Sequence, residues 1–466
     1  MPAHPSPSGA ARGELRATVA LALPIALVQL GTMLMGVVDT IVVGHLSPAA
    51  LAAVALGNLY FFNTTIFGIG LLLALDPVIA QAVGAGDEPA VARGLQRGIV
   101  LGAVLSVLLA LPLVPSDRVL YALGQPPAIV PDATLYLRHS IPGVLPLVVF
   151  GVLRQTLQAL HRTRAIVVTI IVANVVNAVL DWVLVFGHWG SPAFGVVGSA
   201  WATALCRWLM LLAVLALAWR DLRPRLQPWH RESLALRPVW HIVRLGVPVG
   251  AQLFLEGSAF GAIGLLMGRL GTRDIAAHQI ALNLSALTFM VPLGIAAAAA
   301  VRVGHAIGAG DAPRTRQAAA AALVCGVGFM ACSALAFLLF PAAIARIYTG
   351  DAAVIALAAA LIPIAGVFQV FDGLQAVSAG VLRGAGDTRA PLVLYLFGFW
   401  LVGIPVSAWL AFGAGHGARG LWWGLVVGLA VAGGALLARV VVVIRRGGER
   451  VVVDRVHGLE TEIAHE

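Results

Sequence analysis

The chain has 466 residues, of which 60% are hydrophobic and 11% charged, and its formal net charge is +9. Soluble domains carry about 45–50% apolar and about 25% charged residues. At a mean hydropathy of +0.94 a soluble core is excluded, as are disorder and a collagen-like repeat.

A bilayer core about 30 Å thick takes roughly 20 apolar residues per helix. Twelve runs of that kind follow in chain order, at 17–43, 52–80, 92–115, 132–158, 165–187, 195–219, 240–267, 275–304, 317–345, 353–381, 390–412 and 418–443. The first is too long for a signal-peptide core and has no convincing cleavage site. Cys206, Cys325 and Cys332 lie in apolar runs without CxxC spacing, so neither a disulfide framework nor a zinc site is supported.

All 30 basic residues are Arg. Most of them fall on the side that carries both termini. Arg118, Arg138, Arg269, Arg273, Arg346 and Arg419 fall on the other side, and Arg207 lies inside a run. The positive-inside rule then places both termini in the cytoplasm. The basic charge is thus a topology signal with some attraction for anionic lipid, a reading favoured over nucleic acid.

The chain repeats itself. Leu23-Pro24-Ile25-Ala26 recurs as Val247-Pro248-Val249-Gly250, and Val83-Gly84-Ala85-Gly86-Asp87 as Ile307-Gly308-Ala309-Gly310-Asp311. Six helices per copy is an even number, so the copies are parallel repeats about an axis along the membrane normal, with the solute site between them. The expected division is a tail over 1–16, an amino-terminal six-helix lobe over 17–219, a cytoplasmic linker over 220–239, a carboxy-terminal lobe over 240–443 and a second tail over 444–466. The GAGD loops lack the Lys and the preceding strand of a P-loop, so no nucleotide is implied.

Five acids lie inside the runs: Asp39, Asp76, Asp181, Glu256 and Asp372. A carboxylate at mid-bilayer costs roughly 2.5–3.5 kcal/mol and is commonly kept for ion or proton traffic. Only Arg207 sits deep enough to offer a pairing charge. Asn174, Asn177 and Asp181 share one helix face by their spacing, and with Asp39 they are expected to form a polar pocket in the outer part of the first lobe. In the second lobe Glu256 and Asp372 lie near the middle of their helices. Gln252 is one turn before Glu256, Gln369 and Gln375 flank Asp372, and Phe368 is placed to cover a bound cation. Two acids in one low-dielectric cavity titrate as a pair and can hold a proton, Na⁺ or an organic cation. Asp76, before Pro77 at the cytoplasmic end of its run, is placed for capping or gating, with a plain structural role favoured over both. His278 reads as a packing histidine beside Gln279 and Asn283. Pro24 and Pro248 are matched helix breakers, suited to a bend or a packing kink.

The residues now carry a resemblance. MGVVDTIVVGHLSPAALAAVALGN (35–58), AHQIALNLSAL (277–287), VRVGHAIGAGD (301–311) and GVLRGAGDTRAPL (380–392) resemble signatures of the multidrug and toxic compound extrusion (MATE) transporters. LFLEG around Glu256 is similar to their NorM-like branch. The resemblance implies two six-helix lobes around a V-shaped cavity, and antiport of H⁺ or Na⁺ against amphipathic, mostly cationic compounds by alternating access. It implies cation and drug binding at Glu256 and Asp372, and a helix 1 acid, Asp39, assisted by Asn177 and Asp181. Phe368 stands where some NorM-like members have Tyr.

A lipid-carrier flippase of the same superfamily is the alternative, but such proteins tend to add spans and use a basic cavity. A membrane enzyme is not expected, since no HExxH or GxSxG motif occurs. The expectation is therefore an all-α polytopic membrane protein with no cofactor besides its coupling ion, with Glu256 and Asp372 as the place for Na⁺. Its partners would be organic cations and membrane lipid, and it would function as a monomer.

Overall fold

The computed structural model describes the backbone of residues 7–454 and the side chains of residues 13–454. Among the described residues, twelve helices are long and apolar enough to cross a membrane. They are α1 (Pro7–Gly44), α2 (Pro48–Gly84), α3 (Glu88–Leu113), α4 (Val130–Ala159), α5 (Thr163–Phe186), α6 (Val196–Leu217), α7 (Leu236–Gly268), α8 (Thr272–Gly308), α9 (Ala312–Leu339), α10 (Ala352–Gly384), α11 (Arg389–Gly413) and α12 (Gly417–Arg445). Each coincides with one apolar run of the sequence.

Two differences lie at the ends. The expected tail over 1–16 is helical from Pro7, since no breaker stands between Pro7 and Pro24 except Gly9 and Gly13 and the Glu14 carboxylate is held by arginines of the other lobe. The second expected tail is docked up to Asp454, as described below. Residues 1–6 and 455–466 lie outside the described residues. The expected linker region is pinned by a buried side chain of α3. The Gln96 amide donates to the carbonyls of Arg225 and Pro228, and its oxygen accepts from the Ser233 hydroxyl and the His230 N–H.

The repeated GAGD loops are turns. Gly86 and Gly310 both have φ of +69°, a left-handed conformation open to glycine at no steric cost. The following aspartates cap the next helix: Asp87 accepts from Ala90 N–H at 3.0 Å and Asp311 from Arg314 N–H at 2.9 Å. α2 is interrupted at Leu73–Ala74. Pro77 has no N–H for the carbonyl of Leu73, and the Asp76 N–H takes that carbonyl instead at 3.1 Å.

The lobes meet through α1 against α8 and α2 against α7, at small residues that let backbones approach. A side chain at Gly294 would strike Ala26, and one at Gly70 would strike Gly250. These two contacts are copies of each other under the internal repeat, and Pro24 and Pro248 each stand two residues before them. Nearer the face that carries both chain ends (the terminal face) the lobes cross again, Gly84 against His305 and Gly308 against Gln81. Toward the opposite face they part: Gly36 on α1 and Gly261 and Gly264 on α7 face no neighbour within 4 Å. The result is a V, closed at the terminal face and open at the other.

Candidate functional site

In the carboxy-terminal lobe, Glu256 on α7 and Asp372 on α10 come together through one amide. Gln375 Nε2 donates to Glu256 Oε1 at 2.9 Å and to Asp372 Oδ1 at 3.2 Å. Asp372 and Gln375 are buried, whereas Glu256 is half-buried. The backbone under Glu256 is fixed from α11, where Trp400 Nε1 donates to the Leu255 carbonyl at 3.1 Å. Tyr395, also on α11, is buried beside this pair, with Gln252 at its hydroxyl. Sequence reasoning missed Tyr395, which is the sole tyrosine of that apolar run. It supplies a phenol oxygen near the acids where Phe368 cannot.

Two expected members of this site face elsewhere. Phe368 is 1% exposed and packs edge-on against Phe260 and Trp422, so it is core and not a cover for a cation. Gln369 Oε1 accepts from Thr288 on α8 and Ser333 on α9; it ties three helices together and leaves Asp372 to Gln375. Positions three before and three after Asp372 diverge by well over a right angle around a helix of 3.6 residues per turn, which the flanking argument overlooked. His278 packs edge-on against Trp422.

In the amino-terminal lobe, Asp39, Asn177 and Asp181 are all buried. Thr203 on α6 donates to Asp39 Oδ2 at 2.8 Å, and the Asp181 carboxyl faces that of Asp39 and the Ser199 hydroxyl. Asp39 Oδ1, both Asp181 oxygens and both polar atoms of Asn177 have no well-directed partner. Buried polar atoms are nearly always satisfied, so these unpartnered oxygens are suited to a proton or a cation among them. The donor set is all hard oxygen, which fits H⁺ or Na⁺. Asn174 contributes structure: its amide donates to the Gly31 carbonyl at 3.0 Å and joins α5 to α1. Arg207 lies over the Phe61 ring at 4.5 Å with Nη1 unpartnered.

Asp76 has a basic partner after all. Arg383, at the end of α10, donates to its Oδ2 at 3.0 Å, and both side chains are nearly buried. In the sequence Arg383 reads only as a topology charge. Asp76 therefore joins the lobes and is no helix cap. Glu14 likewise takes Arg302 and Arg314 from the other lobe, and His161 packs at a tilt against His305 with ring centroids 4.9 Å apart.

The last described residues complete this closure. Beyond α12 the chain crosses to the first lobe. The Val451 N–H donates to Gln81 Oε1 at 2.6 Å, while Gln81 Nε2 donates to the Gly384 carbonyl at 2.9 Å. Arg450 pairs with Asp87 at 2.7 Å, and Asp454 with Arg93 at 2.8 Å and Arg97 at 2.6 Å. Val453 packs into the core of the first lobe. Burial by itself would raise the Asp454 carboxyl, but the Arg97 and Arg93 guanidinia outweigh it and hold it below its usual range.

A two-lobed V of twelve helices with acid pairs in both lobes defines a class of membrane transporter. The MatE family model matches residues 24–183 and again 248–409, once in each lobe, and the chain belongs to the MatE family. It is 41% identical over 424 residues to the multidrug resistance protein NorM of Burkholderia vietnamiensis, covering 89% of this chain and 90% of that one. It is 38% identical to a probable multidrug resistance protein NorM of Mesorhizobium japonicum, covering 93% and 95%. A eukaryotic MATE transporter of known structure superposes with a TM-score of 0.85 at 24% identity, over 94% of this chain and 99% of the other. A multidrug resistance MATE transporter solved in an outward-facing conformation gives 0.85 at 21% identity, over 93% and 96%.

Proposed function

We propose that this protein is a secondary active multidrug efflux antiporter, exchanging H⁺ or Na⁺ for amphipathic, mostly cationic compounds by alternating access. The observation that carries the reading is the shared amide of Gln375 on Glu256 and Asp372 within the carboxy-terminal lobe. An organic cation and the coupling ion would compete for the same two carboxylates, so that binding one displaces the other. The Asp39, Asn177 and Asp181 cluster supports a second ion-responsive site in the other lobe. Its relatives named for multidrug resistance support export as the direction.

In this reading the terminal face is cytoplasmic, in line with its arginines, and the V opens to the outside of the inner membrane. The protein works as a monomer with no resident cofactor, binding substrate cations from the cytoplasm or the lipid. The test is ethidium efflux from vesicles containing the protein, with a pH gradient or a Na⁺ gradient imposed separately. Efflux driven by one gradient identifies the ion. Equal ethidium flux with and without either gradient defeats the antiport reading.

A further inference from the structure

Away from the acid pairs, a cavity of about 760 Å³ lies at the terminal face between the start of α7, the loop joining α10 to α11 and the end of α12. A second, of about 280 Å³, adjoins it and shares His241, Leu245, Gly386 and Asp387 as lining. Volumes of this order hold small ligands. Arg439, Arg446 and Arg450 line the larger cavity, and Arg244 and Arg389 the smaller.

The charges do not cancel. Asp387 is taken by Arg439 at 2.7 Å, and Arg450 is taken by Asp87 at 2.7 Å. Among the described residues Arg244, Arg389 and Arg446 have no ion pair. Among the described lining residues Glu449 is the one acid without an ion pair to set against them. A topology signal requires these arginines to be on one side of the membrane. It does not require arginines of α7, α11 and the end of α12 to gather at two adjoining hollows.

The surroundings are apolar and outward-facing. Trp240 precedes His241 and is 68% exposed; Val393 follows Arg389 by one turn and is 62% exposed. Val442 lines the cavity itself and is also exposed. An anion entering here would find guanidinium groups at the membrane surface and a greasy path beside them, which suits a headgroup still attached to its acyl chains.

We propose that this hollow is a binding site for the phosphodiester headgroup of an anionic phospholipid in the leaflet at the terminal face. Arg244, Arg389 and Arg446 take the phosphate oxygens, and the acyl chains run past Val442 and Val393. One wall of the cavity is the segment 448–453, so the bound lipid also braces the docked end of the chain.

The test is a titration of the full-length detergent-solubilised protein with cardiolipin, read by native mass spectrometry, with phosphatidylcholine as the neutral comparison. Each guanidinium near an anionic headgroup is worth about fivefold in affinity. Arg244→Ala with Arg446→Ala is thus expected to weaken cardiolipin binding about 25-fold. Arg220→Ala with Arg223→Ala, which removes the same charge from the segment between the lobes, is expected to change it less than twofold. If the cavity pair does not fold, Arg446→Gln alone is expected to give about fivefold. Equal loss in both double variants, or wild-type binding in the cavity variant, overturns the site. Displacement of cardiolipin by millimolar glycerol 3-phosphate overturns its assignment to a lipid and makes it a soluble-anion site.

Discussion

Gly84 and Gly308 are equivalents in the two halves of the chain, and each lies where a side chain would collide with the backbone of the opposite lobe, at His305 and Gln81 respectively. The closed terminal face is thus a symmetric crossing of α2 and α8 that tolerates no Cβ at either position. The two glycines act as one contact repeated about the pseudo-two-fold.

Gly84→Val or Gly308→Val should therefore block closure at this face while leaving each lobe intact. Both variants are expected to insert at wild-type levels but to lose at least tenfold in ethidium efflux. Gly86→Ala, in the loop where a Cβ meets nothing within 4 Å, should cost only the strain of its positive φ, about 1 kcal/mol. Melting temperature and efflux measured together separate the two effects.

Asp76 and Arg383 form the buried tie between the lobes. Removing one partner of a buried pair costs about 3–5 kcal/mol because the other is left uncompensated. Asp76→Asn should lower the melting temperature in detergent. Asp76→Asn combined with Arg383→Gln should recover part of the stability. A double variant as unstable as the single one would show that the pair is not the source of the effect.

Glu256→Gln and Asp372→Asn are each expected to abolish gradient-driven efflux with normal membrane expression, since no basic side chain depends on either carboxylate. Asp39→Asn should block turnover through the other lobe, and Thr203→Val should weaken it by removing the 2.8 Å hydrogen bond to Asp39. Efflux that survives in Asp39→Asn and fails in the other two would place all coupling in the carboxy-terminal lobe.

Asp454 gives a pH dependence whose sign follows from its arginines. Its carboxyl is held below the ordinary range when docked, so docking favours the ionised form. The contribution is complete above the free-chain value of about 3.9 and is lost as the pH falls through the lower docked value. Asp454→Asn should loosen the segment at neutral pH, seen as faster proteolysis after Arg450, and should reduce the further loosening of the native segment as the pH falls below about 3.9, leaving the part that belongs to the Arg450–Asp87 pair.

Much of this was legible in the sequence, because a membrane span is written in composition and the repeat in exact spacing. Asp39, Asn177 and Asp181 were found because polar residues stand out in an apolar run and helical spacing joins them. The partner of Asp76 was not, since Arg383 lies in the other repeat and a charge at a helix end looks like any topology signal. Phe368 and Gln369 were misplaced because spacing along one helix does not say which neighbour each face meets. Val451 and Asp454 looked like a solvated tail, for their partners Gln81, Arg93 and Arg97 are contributed by helices some 360 residues earlier.

That last contact has a consequence for how the molecule is made. A ribosome delivers Gln81 and Arg97 to the membrane early and Val451 and Asp454 only after all twelve spans. Until then the first lobe's side of this seam has nothing to bind, so a nascent chain stands unlatched however well its helices have inserted. A message truncated just after α12 would yield all twelve spans and no fastener. A bulky fusion joined close behind Asp454 would have to leave room for the same nine residues to lie down across the seam.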